Sequence, residues 1–232
     1  MKPPLIYITG PDGCGKTSTC KAVKRSLKDQ GHSVKHVYSI KRNVFKHVIF
    51  AIRRKMHGKT DPTDNKFSDD PSKRTFRFVL TEDIFDRNDG SYLWKIRKFF
   101  TLLITISDVF LNSLIIKYWR FKGFTVLVET SPYDIFLKYH MPQFKWVEAI
   151  FASLLPKPTF GIVLQANSQK IFDRKPELTV AELDDYYHRL EALLFTAKVN
   201  DRFHSVNSDI SIEYTEQETK ELISKLLAES KK

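Results

Sequence analysis

The sequence predicts an α/β fold built on a parallel sheet, on three observations. Short strand-like segments alternate with helix-like segments along the chain. The run FTVLVE at Phe124–Glu129, set off by Gly123, is apolar without alternation, as in a strand buried on both faces. A glycine-rich segment, Gly10–Thr17, lies between the first strand-like and the first helix-like segment. With 232 residues, 42% hydrophobic and 28% charged, the chain can build one core and reads as a single domain over 1–232.

Leu5–Thr9 (LIYIT) reads as a short buried strand, and Lys16–Gln30 as a helix with Ala22, Val23 and Leu27 at helical spacing. Gly31 stops that helix, and Ser33–Ser39 reads as a second strand. Val44–Met56 is amphipathic, with Phe45, Val48, Ile49, Ile52 and Met56 on one face. The stretch 72–90 alternates at Phe76, Phe78 and Leu80 like a strand, yet its charges also suit a helix or lid, and 57–90 is treated as an insertion. Tyr92–Phe121 reads as one long helix, followed by the strand Phe124–Glu129. Phe144–Leu155 is a short helix ended by Pro156 and Pro158, and Thr159–Gln165 a further strand. Asn167 suits the N-cap of a helix through Asp173, and Thr179 with Glu182 forms a capping-box pattern for the next. Phe203–Asn207 and Thr215–Glu229 are the last strand and helix. No internal repeat is visible.

The formal net charge of +11 suits a partner that is nucleic acid, an anionic membrane surface or a phosphorylated molecule. The charge is uneven: from Gln30 to Thr60 there is no Asp or Glu, against eight Lys or Arg and four His. A helix over 44–56 with a cationic outer face is read first as packing on the core, with an anionic surface as the alternative. No nucleic-acid module is recognisable. Two cysteines, Cys14 and Cys20, do not make a disulfide framework, which points to a reducing, cytoplasmic setting, and no signal peptide is visible. Phe99–Ile116 has the minimum length of a membrane span, but Asp108 near its centre would cost about 3 kcal/mol there. A buried helix that turns Asp108 toward a site is the simpler expectation.

Gly10-Pro-Asp-Gly-Cys-Gly-Lys-Thr17 fits G-x-x-x-x-G-K-[ST] without departure, between a strand and a helix as that motif requires. Glycines let backbone N–H groups converge on a phosphate, and the following helix adds its positive end. Lys16 is expected on the β and γ phosphates of ATP and Thr17 on Mg²⁺. The nucleotide-binding set is Gly10, Asp12, Gly13, Cys14, Gly15, Lys16, Thr17 and Ser18. Glu129, closing a buried strand, is the second expected Mg²⁺ residue. Arg174 and Lys175 follow a short helix and are expected to fold over transferring phosphates. Asp12 reads either as a turn former or as facing an acceptor hydroxyl. Asp108, Tyr133 and Asp134 are candidate acceptor contacts, with a structural ion pair or ordinary loop packing as the alternatives.

Ile8–Thr19 (ITGPDGCGKTST) resembles the phosphate loop of thymidylate kinase-like proteins. In order along the chain, Val126–Asp134 is similar to the segment around that family's Asp-Arg-Tyr motif, Leu155–Gln165 to its Leu-Pro-x-Pro-Asp strand, and Asp173–Leu183 to its lid and next helix. The resemblance spans most of the chain except 40–95. It implies a three-layer P-loop NTPase fold, a five-stranded parallel sheet flanked by helices, with a nucleoside monophosphate kinase-like lid near 167–180. It implies Lys16 and Thr17 on ATP–Mg²⁺, Arg174 and Lys175 acting from the lid, and Asp12 beside the acceptor. Thr130 and Val109 stand where the family carries arginines, which removes two charge-assisted bonds worth about 1.5–3 kcal/mol each.

The expected function is transfer of the γ-phosphoryl of ATP to a small-molecule acceptor, a nucleoside monophosphate or a sugar. Divergent members of the group are associated with surface polysaccharide clusters, hence the sugar. The alternative is a pseudokinase or switch docking on an anionic membrane surface. A homodimer is a further expectation. A GTPase is disfavoured, since no Asn-Lys-x-Asp motif is present.

Overall fold

A computed structural model describes residues 2–38, 107, 109–134, 137, 150, 152–176 and 178–229. The expected helix Val44–Met56, the insertion 57–90, the first part of Tyr92–Phe121, Asp108, residues 144–149 and 151 of Phe144–Leu155 and most of the basic block lie outside the described residues.

Five strands form one sheet: β1 Leu5–Thr9, β2 Val34–Tyr38, β3 Thr125–Glu129, β4 Phe160–Gln165 and β5 Phe203–Asn207. All neighbours are parallel, in the order β2-β3-β1-β4-β5. Helices flank it: α1 Lys16–Asp29, α2 109–121, α3 Ser168–Arg174, α4 Val180–Thr196 and α5 Ile212–Glu229. The α/β class, the parallel sheet and its five strands agree with the sequence reading.

Strand parity divides the core into two layers. Ile6, Ile8, Leu127, Ile162 and Leu164 face α1 and α5, meeting Cys20, Val23, Leu27, Ile223 and Leu227. Leu5, Tyr7, Val126, Val128 and Val163 face the other way, toward Val109 and Ile116 of α2 and Leu190 and Leu193 of α4. Each such Leu or Ile contributes about 1.5–3 kcal/mol by leaving water. Tyr7 stays in this core because its hydroxyl donates to the Pro156 carbonyl at 2.6 Å.

The caps follow the sequence. Asn167 accepts from the N–H groups of Gln169 and Lys170, and Thr179 and Glu182 complete a capping box. The last helix departs from expectation: it begins at Ile212 rather than Thr215. Ser211 takes the cap position, its hydroxyl accepting from Tyr214 N–H at 3.0 Å, and Thr215 bonds back to the Ser211 carbonyl from inside the helix. The long helix is not buried all round either. Over 109–121 one stripe enters the core, while Phe110, Leu114, Tyr118 and Phe121 are exposed. Among the described residues, no helix is long and apolar enough to cross a membrane.

Gly161 of β4 stands opposite Phe203 of β5, and the absence of a side chain lets the Phe203 ring lie across the strand against Tyr7 and Tyr133. A Cβ at 161 would meet that ring at 2.3 Å. Gly161→Ala should therefore destabilise the protein by about 1–3 kcal/mol, and Phe203→Leu in the same chain should recover part of the loss. Urea unfolding of both variants checks this; equal stability of Gly161→Ala and wild type would contradict the packing described.

Candidate functional site

The chain leaves the central strand β1 in a sharp turn. Gly10 has φ 145°, and a Cβ there would meet the Leu164 carbonyl oxygen at 2.8 Å and Cys14 Sγ at 2.7 Å. Gly13, at φ 100°, sits 3.3 Å from both Ile171 and Lys175 by the same measure. Gly15, at φ 91°, is the N-cap of α1 and supplies no side-chain cap, and among the described residues nothing lies within 4 Å of where its Cβ would be. The first N–H groups of α1 therefore receive no side-chain cap from Gly15.

Lys16 opens α1 and folds back over the loop. Its Nζ donates to the carbonyls of Gly10 and Pro11, both at 2.7 Å, and pairs with Asp12 at 3.1 Å. Burial pushes the ammonium pKa down, but Cys14, Asp12 and Asp134 outweigh it and hold the pKa above its usual value. Lys16 is therefore a firmly cationic group anchored by short bonds to the loop it serves.

Thr17 points across to β3. Its hydroxyl donates to Glu129 Oε1 at 2.5 Å. Register explains the meeting: Glu129 pairs with Ile8 across β1–β3, and shares parity with Leu127, which faces α1. His36 of β2 shares parity with Val34 on that same face, and its Nε2 lies 3.1 Å from Glu129 Oε2. The contact is close, yet Nε2 is buried without a well-aligned hydrogen bond. Burial raises the pKa of Glu129, but His36, the Thr17 hydroxyl and the Lys16 charge together bring it below the usual carboxylate value. A hydroxyl and an ionised carboxylate converging at a loop end are hard oxygen donors, the set a small divalent cation takes.

Past Glu129 the backbone bends hard. Thr130 is buried and has φ 64°, an outlier for a β-branched residue. Its N–H donates to the Ile8 carbonyl at 2.9 Å, and the Ser131–Asp134 turn that follows returns Asp134 beneath β1. There the buried Asp134 carboxylate accepts from Thr9 at 2.6 Å and from Tyr186 at 2.9 Å. Burial and the Asp134 charge push the Tyr186 phenol well up, so it remains a donor.

Two crevices flank the loop. One is lined by Asp12, Lys16, Thr130, Asp134, Lys175 and Tyr186, and the other by Gly13, Gly15, Arg174, Ser208 and Glu213. Arg174 is exposed and its guanidinium donates to the Ser208 carbonyl at 3.4 Å, so it reaches from α3 to the loop before α5. Both crevices lie at the carboxyl ends of the strands. There the chain runs from β1 out to β2 and from β3 back across β1 to β4, which is where open α/β sheets hold ligands.

Of the residues singled out from the sequence, Gly10, Asp12, Gly13, Cys14, Gly15, Lys16, Asp134, Arg174 and Lys175 line these crevices, Thr17 and Glu129 meet each other directly after Lys16, and Ser18 is half-buried on the first turn of α1. Cys14 is a buried, free thiol pushed up by burial, in keeping with a packing role. Tyr133 is not among the residues lining these two crevices; it is fully buried, with its ring against Tyr7 and Phe203. Asp108 lies outside the described residues. Sequence reading missed Thr9, Cys20, His36 and Tyr186. Tyr186 falls on the buried stripe of α4 and reads as core, while His36 sits inside a basic block and gains meaning only once β2 is registered on β3.

No protein-family model matches the chain, and no curated protein matches it.

Because Glu129 has a lowered pKa when folded, its stabilising effect is complete above its unfolded value of about 4.3 and fades as pH falls through the folded value. The stability of wild type minus that of Glu129→Gln should therefore shrink from about pH 6 to about pH 3, measured by urea unfolding in metal-free buffer. A constant difference over that range would show that the carboxylate is not held in its charged form.

Proposed function

We propose that the chain is an ATP- and Mg²⁺-dependent phosphotransferase with a P-loop NTPase fold of the thymidylate kinase-like kind. The observation that carries the reading is the 2.5 Å contact of Thr17 with Glu129, one residue past Lys16 of the glycine loop and on the strand beside it. A glycine turn that binds nothing has no need of an ionised carboxylate against the hydroxyl after its lysine. The sheet order and the helices on both faces support the fold assignment.

Thr17 and Glu129 would hold Mg²⁺, which when bound neutralises charge on the transferring phosphates. Lys16 leaves the loop carbonyls for phosphate oxygens, exchanging neutral acceptors for charged ones. The N-terminal end of α1 adds backbone donors. Arg174 stands beside the crevice lined by Gly13, Gly15 and Ser208, in reach of a nucleotide's phosphates, and Lys175 borders the other crevice, where the acceptor would lie. Asp12 and Asp134 lie on the acceptor side. Asp134, held by Thr9 and Tyr186, is pre-set to accept from an acceptor hydroxyl. No covalent intermediate is required, since positioning and charge supply the rate.

The acceptor is a nucleotide-like molecule in the first reading and a sugar or glycan in the second. Two observations favour the second. Val109 is buried in the core, and Thr130 is buried in a strained turn, so neither place offers the acceptor a cation. A cytoplasmic location and a possible role as a switch at an anionic surface rest on charge and composition alone.

ADP formation from ATP and Mg²⁺, measured with a panel of nucleoside monophosphates and sugars, tests the reading. Turnover should rise with one acceptor class. Lys16→Met should abolish it while leaving the circular dichroism of the wild type, and Arg174→Ala should lower kcat by about 10²-fold or more. Acceptor-dependent turnover that survives in Lys16→Met would refute the assignment, and ATP binding without turnover on any acceptor would favour the switch.

A further inference from the structure

Cys20 has no place in the phosphotransfer chemistry, yet it lies on α1 one turn beyond Thr17, on the face that meets the sheet. Its Sγ, a ring nitrogen of His36 and a carboxylate oxygen of Glu129 all lie within 4.8 Å of one another. Among the described residues this is the one cluster of three such groups. The three come from α1, β2 and β3, elements fixed by the sheet register, so the cluster is built before any ligand arrives.

A buried cysteine alone is ordinary packing. Two further facts count against that here. His36 Nε2 already sits 3.1 Å from Glu129 Oε2 without a well-aligned hydrogen bond, so the two donor atoms face one another across a gap that an ion can bridge. The donor set is also wrong for the hard cation of the neighbouring site. Mg²⁺ takes oxygen and rejects sulfur, whereas thiolate, imidazole and carboxylate together suit Zn²⁺ and its borderline neighbours. Zinc bonds of about 2.0–2.3 Å would draw the three donor atoms to about 3.5 Å apart, a movement of about 1 Å for side chains already converging. His36 keeps 23% of its side chain exposed, which gives an ion a way in.

We propose that Cys20, His36 and Glu129 form a binding site for a thiophilic divalent transition ion, with Zn²⁺ as its natural probe. Glu129 is common to this site and to the Mg²⁺ site of the proposed function, so the two ions compete for it. That second clause rests on the function proposed above, while the binding site does not. On binding, the Cys20 thiol gives its proton to solvent and its sulfur lone pair to the metal, and water fills the remaining position. Zinc would thereby draw Glu129 away from Thr17.

The test uses the whole chain, treated with chelator and free of nucleotide. Titration calorimetry with Zn²⁺ alone should give one ion per chain. Cys20→Ser and His36→Gln should each weaken it by more than about tenfold, and His188→Gln, at an exposed position of α4, should leave it unchanged. Co²⁺ in place of Zn²⁺ should give a thiolate charge-transfer band that is absent in Cys20→Ser. Urea midpoints establish that each variant is folded; His36→Gln, on a partly exposed strand position, carries the test should Cys20→Ser unfold. No zinc binding by the wild type, or equal affinity in wild type and His36→Gln, would overturn the site. Adding Mg²⁺ with ATP should raise the zinc Kd expressed in free Zn²⁺, after subtraction of the zinc that ATP itself chelates; a zinc Kd so expressed that is indifferent to Mg²⁺ and ATP would overturn the shared carboxylate while leaving the site standing. The calorimetric readout needs no turnover, so a failure of the kinase reading is seen separately.

Discussion

The hydrogen bond from Thr17 to Glu129 is the constraint on which the rest of the site depends. It ties the first turn of α1 to the end of β3, two segments more than a hundred residues apart. It forms only if β3 pairs with β1 in the observed register, Ile8 beside Glu129. A slip of one residue would turn Glu129 into the layer that holds Tyr7 and Val128, and would place Val128 against Thr17. The sheet core therefore does more than stabilise. By requiring Val126 and Val128 on one face and Leu127 on the other, it specifies where the carboxylate emerges.

The positive and negative groups at the loop are arranged to remain ionised without a ligand. Lys16 is buried, but carbonyls of the loop and the carboxylates of Asp12 and Asp134 compensate its desolvation. Glu129 is nearly inaccessible and still below the ordinary carboxylate pKa, because His36, Thr17 and Lys16 surround it. Such a site needs little reorganisation to receive an anion and a cation together, which is the property that electrostatic catalysis uses. The strained Thr130 belongs to the same arrangement: it ends β3 abruptly enough to bring Asp134 back under Thr9.

Much of this could be read from the residues, for physical reasons that differ by element. The three inner strands β1, β3 and β4 are short runs buried on both faces, so apolar content marks them, while the edge strands β2 and β5 keep polar, partly exposed positions and are marked by the turns that bound them. The caps at Asn167 and Thr179 are local and legible. The glycine loop is legible because only glycine tolerates the Gly10 conformation against the Leu164 carbonyl. The start of α5 was misplaced because Ser211 and Thr215 are both plausible caps, and the choice depends on where β5 delivers the chain. Tyr133 and Asp134 both follow Glu129 at the mouth of the sheet, but neighbouring side chains in a turn can point to opposite sides: Asp134 lines a crevice and the Tyr133 ring packs against Tyr7 and Phe203. His36, Cys20 and Tyr186 were illegible because each acquires its partner only through strand register or helix docking.

The central claim is that this loop and Glu129 together hold a metal–phosphate pair. ATP affinity measured by calorimetry with and without Mg²⁺, in wild type and in Glu129→Ala, tests it most directly. The account predicts that Mg²⁺ strengthens ATP binding in the wild type and loses most of that effect in the variant. ATP affinity indifferent to Mg²⁺, or equally Mg²⁺-dependent without the carboxylate, would contradict it.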